Sequence, residues 1–390
     1  MNEAAAERTS LGELACLFFR LGATAFGGPA AHIAMMQDEV VRRRKWLTEE
    51  RFLDLLGATN LIPGPNSTEM AIHIGYERRR WAGLVVAGLS FIVPAMAITM
   101  AFGGAYVRFG SVPAVGFVLY GVKPVILAVV VQAIWMLVPR AARTTGLRVL
   151  AGIAIALAAS GIVNELVILF GARLSAMIAR RISTGPSPRG DGAPFVAIAG
   201  SATVGAGTTV AGAVTLPSLF WLFLKTGSVL FGSGYVLLAF LRADLVERHG
   251  WLTEGQLIDA IAVGQVTPGP VFTTATFVGW ILAGPKGALV ATAGIFLPAF
   301  GFVALSGPLV PKLRASPSAS AFLDGVNVAS LALMAVVTFE LGRTALIDVP
   351  SIALCIVSAV LLLRFKVRST WLVVGGAAAG TLLHLVGYAR

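Results

Sequence analysis

Two Pro-Gly-Pro tripeptides, Pro63-Gly64-Pro65 and Pro268-Gly269-Pro270, interrupt segments that are otherwise apolar enough for a membrane. Proline lacks a backbone N–H and its ring clashes with the preceding turn, so each tripeptide must break a helix. In lipid, a broken backbone survives only where protein or a water-filled cavity satisfies its polar groups. Asn60, Asn66, Ser67 and Thr68 surround the first break, and Gln265, Thr267, Thr273 and Thr274 the second. A half-helix starting after each break aims free N–H groups and a positive dipole end at the same place. That chemistry suits a tetrahedral oxyanion better than a metal cation. The bland alternative is a structural kink.

Charged residues inside apolar segments are costly and point to function by default. Arg20 and Lys225 hold matching places, since 225 − 20 = 205, each six residues before a Phe-Gly motif. Two cations brought together would hold an anion; snorkelling to the interface is the alternative. Lys123, at Gly121-Val122-Lys123-Pro124, is a third candidate ligand. Its counterpart is Asn327, and an inward ion pair with Glu69 or Glu165 would also explain it. Glu69 and His73, four apart, share a helical face and are candidates for proton coupling, with His32 nearby in the same half. Gly27 and Gly28, in Phe26-Gly27-Gly28-Pro29, either let helices pack closely or break a helix to line a cavity. Glu340, Glu165 and His384 read as helix-end or packing residues. No metal site is expected, because no His/Cys/carboxylate cluster has ligand spacing.

These residues belong to a duplicated frame. Phe26-Gly27-Gly28 matches Phe231-Gly232-Ser233, Trp46-Leu47-Thr48-Glu49 matches Trp251-Leu252-Thr253-Glu254, and Asp54 matches Asp259, all at the offset of 205 (231 − 26 = 205). After a one-residue gap, Pro94 matches Pro298 and Gly121-Val122 matches Gly325-Val326. The expected division is a first repeat over 1–182, a linker over 183–215 and a second repeat over 216–390. Either an extra span or a loose connection fits 195–215. Each repeat reads as six apolar segments: 11–35, 53–76, 81–107, 112–138, 147–161 and 163–178, then 217–240, 257–281, 286–307, 320–341, 350–363 and 370–387. The last two of each set read as a tight hairpin.

Lys and Arg set the orientation of such segments. Arg42, Arg43, Arg44, Lys45 and Arg51 flank the first connection and Arg78, Arg79 and Arg80 the second. A fully spanning second segment would put these on opposite faces. If it enters, breaks at Pro-Gly-Pro and returns, both stay on the cytoplasmic side. In the second repeat the bias is reversed, as five spans per repeat require. The expected fold is therefore an all-α polytopic membrane protein of two inverted-topology repeats, each with about five spans and a re-entrant Pro-Gly-Pro segment. Inverted repeats with broken helices mark secondary transporters.

Composition agrees. Of 390 residues, 57% are hydrophobic and 13% charged, with a mean hydropathy of +0.84, against about 25% charged for a soluble domain. The net charge of +11 fits arginines flanking spans. No basic face with stacking aromatics suggests nucleic acid. Cys16 and Cys355 lie in apolar segments and read as free thiols, and the N-terminus shows no removable signal peptide. An intramembrane enzyme would need a catalytic constellation that the sequence does not offer, and no cofactor is called for.

With these motifs the chain resembles the chromate ion transporter family in its long, two-domain form. The resemblance covers both halves and rests on Phe26–Gly28, Phe231–Gly234, Trp46–Thr48, Trp251–Thr253, the two Pro-Gly-Pro breaks, Pro94 and Pro298. It implies a multi-pass protein of a bacterial-type cytoplasmic (inner) membrane that exports chromate, driven by the proton motive force. Its partners would be chromate, protons and the lipid bilayer. Sulfate or another inorganic anion as substrate, or a passive anion channel, are the alternatives. The second repeat departs at Ser233, Val271 and Asn327, which argues against equal roles for the halves.

Overall fold

The computed structural model describes residues 9–26, 28–110, 112–160, 163, 167–169, 171–172, 174–175, 213–231, 236–306, 317–367 and 369–386. Gly27, Glu165, Gly232–Gly234, half of the expected sixth segment and nearly all of the expected linker lie outside them. Every regular element described is helical. Four stretches are long and apolar enough to cross a membrane: Asn66–Phe109, Gly116–Pro139, Val271–Ser306 and Asp324–Ala345. The protein is an all-α multi-pass membrane protein.

The first apolar segment, expected as one span over 11–35, is broken. Helix α1 (Leu11–Thr24) starts at a capping box between Ser10 and Glu13 and ends at Ala25, whose backbone is extended. Helix α2 (Gly28–Gln37) begins at Gly28, with φ +78, and runs on into a π-helical stretch, Asp38–Arg43. Helix α3 (Glu49–Thr59) is capped by Thr48, whose hydroxyl accepts from Arg51 N–H. The Trp-Leu-Thr motif therefore starts a helix. Pro-Gly-Pro separates α3 from α4 (Asn66–Phe109).

Helix α4 is not straight. Arg79 and Arg80 leave helical geometry, and Arg80 has φ +50. A Cβ on Gly75 would run into the Gly83 carbonyl, and one on Gly83 into the Gly75 carbonyl. Residues eight apart in one helix stand about 12 Å apart, so the chain must reverse between them. Residues 66–78 form a return limb and residues 81–109 the long crossing helix.

Contacts fix where these limbs begin and end. Arg51, at the start of α3, pairs with Glu77, at the end of the return limb. Arg78 donates to the Trp46 carbonyl and to the hydroxyl of Thr9, just before α1. The start of α1, the Trp46 loop, the start of α3 and the end of the return limb thus share one level. α1 with α2, and α3 with residues 66–78, are two hairpins that leave that level and come back to it. The basic residues Arg44, Arg51 and Arg78 all belong to it.

The second half repeats this order. Helix α7 (Leu216–Val229) corresponds to α1, a short α8 (Leu237–Leu241) with the π-helical Arg242–Arg248 to α2, and α9 (Glu254–Val266) to α3. After Pro-Gly-Pro come a 3-10 turn, Val271–Thr273, and α10 (Thr274–Ser306), which reverses at Ala283 and Gly284. Here too the reversal brings two glycines together, Gly279 and Gly287.

The remaining helices tie the halves together. They are α5 (Pro113–Ala141), α6 (Thr145–Ser160), α11 (Pro317–Ala345), α12 (Val349–Leu363) and α13 (Ser369–Leu385). α12 and α13 pack chiefly on α5, and α6 packs on α11. The expected tight hairpin of α12 with α13 is therefore corrected: small residues on α13, Gly376 and Gly380, let it approach Gly121 on α5 instead.

Candidate functional site

Gly64 and Gly269 each donate a backbone hydrogen bond to the other half of the molecule. Gly64 N–H reaches the Leu230 carbonyl at 2.8 Å, and Gly269 N–H reaches the Ala25 carbonyl at 2.9 Å. Leu230 and Ala25 end α7 and α1, and they correspond at the same offset, 230 − 25 = 205. The four hairpin tips therefore meet in two pairs, each pair joining the two repeats. Beside them run the two proline-bearing helices. A Cβ on Gly269 would sit 2.7 Å from that of Ala95, next to Pro94; one on Gly64 would meet the Glu69 carboxyl and lie 3.7 Å from that of Ala299, next to Pro298. Pro63, Gly64 and Pro65, like Pro268, Gly269 and Pro270, are buried. Gly64 has φ +138 and Gly269 φ +87, which L side chains rarely adopt.

The two breaks differ in chemistry. After the first, Asn66 and Ser67 open the return limb, and their N–H groups have no acceptor within it. Asn66 Nδ2 donates to Asn60 Oδ1 at 2.8 Å. Asn66 Oδ1, Thr68 Oγ1, both carboxylate oxygens of Glu69, and His73 Nε2 are buried with no hydrogen-bond partner among the described residues. Glu69 and His73 thus share a limb without bonding each other. Leaving so many buried polar atoms unsatisfied is expensive. At the second break, Thr267 before it and Thr273 and Thr274 after it each return a hydroxyl to a backbone carbonyl of the preceding turn. The enclosed gap beside it, lined by Val130, Leu237, Gln265, Val271 and Thr274 among others, measures about 10 Å³, room for one water at most.

His32 belongs to the second break although it lies in the first repeat. Its Nε2 is 3.0 Å from the Ala25 carbonyl, the same oxygen that accepts from Gly269. Its ring stands edge-on to Phe91. Corresponding positions in the second repeat hold Leu237, a threonine (Thr273 or Thr274) and Phe277 in place of His32, Glu69 and His73.

Arg20 and Lys225 are each engaged by a carboxylate of their own half. Arg20 pairs with Glu39 at 2.5 Å and Lys225 with Asp244 at 2.6 Å. Arg43 and Arg44 also reach Glu39, and Arg248 reaches Asp244. The pairs correspond, since 244 − 39 = 205 and 248 − 43 = 205. Both carboxylates sit on the π-helical stretches and are largely buried, while the two cations are 51% and 39% exposed. Among the described contacts none joins Arg20 to Lys225. Gly28 opens α2 two residues past the Phe26 motif; Gly27 lies outside the described residues.

Lys123 does not pair with Glu69, and Glu165 lies outside the described residues. It faces Asp259 of the second half at 3.4 Å. Sequence reading missed Glu39, Asp244, Asp259 and the carbonyls of Ala25 and Leu230. The first two were detectable as acids repeated at the offset of 205 beside a repeated arginine. The carbonyls left no signal in residue type.

The sequence model of the chromate transporter family matches this chain twice, over residues 12–177 and 217–381. The chain is 32% identical to the chromate transport protein of Cupriavidus metallidurans, over 97% of this chain and 94% of that one. It is 31% identical to the chromate transport protein of Pseudomonas aeruginosa, over 90% and 86%. With the probable chromate transport protein of Synechococcus elongatus it shares 30% identity, over 90% and 89%. No solved structure matches it.

Proposed function

Because the chain belongs to the chromate transporter family, we propose that it is a secondary active transporter. It exports chromate, a tetrahedral dianion, across the cytoplasmic membrane, coupled to the proton motive force. The observation that carries this reading is the docking of broken-helix tips across the repeats in two related pairs, Gly64–Leu230 and Gly269–Ala25. Helix α3, about 16 Å long, reaches roughly the middle of a 30 Å hydrocarbon core. The two repeats enter from opposite faces, so their tips meet at the midplane. There the N–H groups and the polar side chains of Asn66 and Ser67 contact the anion, with Pro63, Gly64 and Pro65 shaping one wall and Pro268, Gly269 and Pro270 closing the other side.

Arg20 and Lys225 line the approaches from the two faces. Glu39 and Asp244 hold them in the closed state and yield to the incoming dianion. Glu69 and His73, next to the first tip, take up and release the coupling proton; a proton supplies what the orphaned Glu69 carboxyl lacks. Alternating access is a rocking of one repeat against the other about the tips.

Uptake of chromate into inverted membrane vesicles tests this. Arg20→Ala and Lys225→Ala should each abolish uptake in protein that still inserts, and normal uptake in both would remove these cations from the pathway. Excess sulfate that blocks chromate uptake would widen the substrate to sulfate-like dianions.

A further inference from the structure

Lys123 is the charge in the molecule hardest to explain by architecture alone. It lies within the crossing stretch Gly116–Pro139, where an ammonium group must be paired or face water. Its partner comes from the other repeat. Asp259, on α9, places Oδ1 3.4 Å from the Lys123 ammonium, and its other oxygen accepts from Tyr106 Oη at 2.9 Å. Tyr106 is on the long helix of the first repeat, so three elements, α4, α5 and α9, converge on one carboxylate. Asp259 is 5% exposed at its side chain and Lys123 26%. The pair does not recur at the related place, where Asn327 replaces the lysine.

We propose that Asp259 is an internal competitor for the transported dianion: it occupies Lys123 in the closed state, and chromate displaces it during transport. This rests on the oxyanion-transport reading above. Three features support it. The lysine is reachable while the carboxylate is not, so an anion can approach the cation without first exposing the acid. Tyr106 keeps one oxygen of Asp259 hydrogen-bonded when Lys123 turns away, which lowers the cost of the exchange. The pair also joins the two repeats, so freeing Lys123 loosens the contact that rocking must break. Among the described residues, Lys123 and Tyr106 are the titratable groups that face Asp259 from the elements packed around α9.

Kinetics in proteoliposomes separate this role from that of a simple ion-pair brace. Asp259→Asn leaves Lys123 free and should lower the KM for chromate by about tenfold, one 1.4 kcal/mol step, while turnover falls because the anion leaves slowly. Lys123→Gln should raise KM. The exchanged pair K123D/D259K restores the brace but puts a carboxylate on α5; it should fold with wild-type thermal stability and carry no chromate. K123Q/D259N buries no lone charge and keeps the test available where a single variant fails to fold; it should raise the KM as Lys123→Gln does. Restored transport in K123D/D259K, a wild-type KM in K123Q/D259N, or an unchanged KM in Asp259→Asn, would overturn the proposal. A wild-type protein that moves no oxyanion would overturn it together with the transport reading, whereas wild-type transport with unaltered variants sinks this inference alone.

Discussion

At the scale of single residues, the described titratable groups at the four tips, His32, Glu69 and His73, all come from the first repeat. The second repeat carries Leu237, threonine and Phe277 at the corresponding positions. If Glu69 carries the coupling proton, Glu69→Gln keeps the shape of the site and removes the titration. Chromate uptake driven by a pH gradient should then fall by about tenfold or more, a loss of at least 1.4 kcal/mol of coupling, while chromate–chromate exchange persists. Gly64→Ala probes the backbone instead. With φ at +138 and the Glu69 carboxyl against the new Cβ, strain of about 1–3 kcal/mol should show as a lower Tm in detergent. The Pro-Gly-Pro tripeptides and Glu69 were legible in the sequence, because proline and charge are rare in apolar segments. The clamps on Arg20 and Lys225 were not, because an acid in a polar connection looks like any solvated surface residue until the fold brings it to its cation.

At the scale of elements, the reversal inside α4 decides how the basic connections sit. Arg80 occupies a conformation that its counterpart Gly284 adopts without strain. Arg80→Gly should therefore be tolerated: relief of about 1–3 kcal/mol exceeds the roughly 0.5–1 kcal/mol of an exposed Arg80–Tyr76 ring contact. A rise or no change in Tm checks it. Gly83→Leu should prevent folding, because its side chain would have to enter the Gly75 backbone. In a background lacking Cys16 and Cys355, cysteines at Arg44 and Arg79 should react with an impermeant reagent from the same side. Charge counting anticipated that second-segment hairpin. It did not anticipate that the first segment is broken as well, at Ala25–Gly28, because Phe-Gly-Gly fits a close helix contact as well as a break. Only the hydrogen bond from Gly269 to the Ala25 carbonyl shows what the break is for.

At the scale of the whole molecule, each repeat completes the other. The breaks of one dock on the first hairpin of the other, the helices α12 and α13 of the second pack on α5 of the first, and Arg143 pairs with Asp324 across the same boundary. On the alternating-access proposal, a chain so interlocked rocks about the tips rather than by separating its halves. The duplication was readable from the offset of 205, but the interlocking was not, since nothing in the order of segments says which copy a helix packs on. The central claim is that the tips form the path of a chromate dianion. The most direct measurement is uptake of labelled chromate into respiring inverted vesicles by the wild-type chain and by protein carrying Asn66→Ala with Ser67→Ala. The account predicts accumulation by the wild type, collapsed by a protonophore, and sharply reduced accumulation by the double variant inserted at the same level, which keeps the backbone N–H groups but loses the amide and the hydroxyl. Undiminished accumulation by that variant would contradict it.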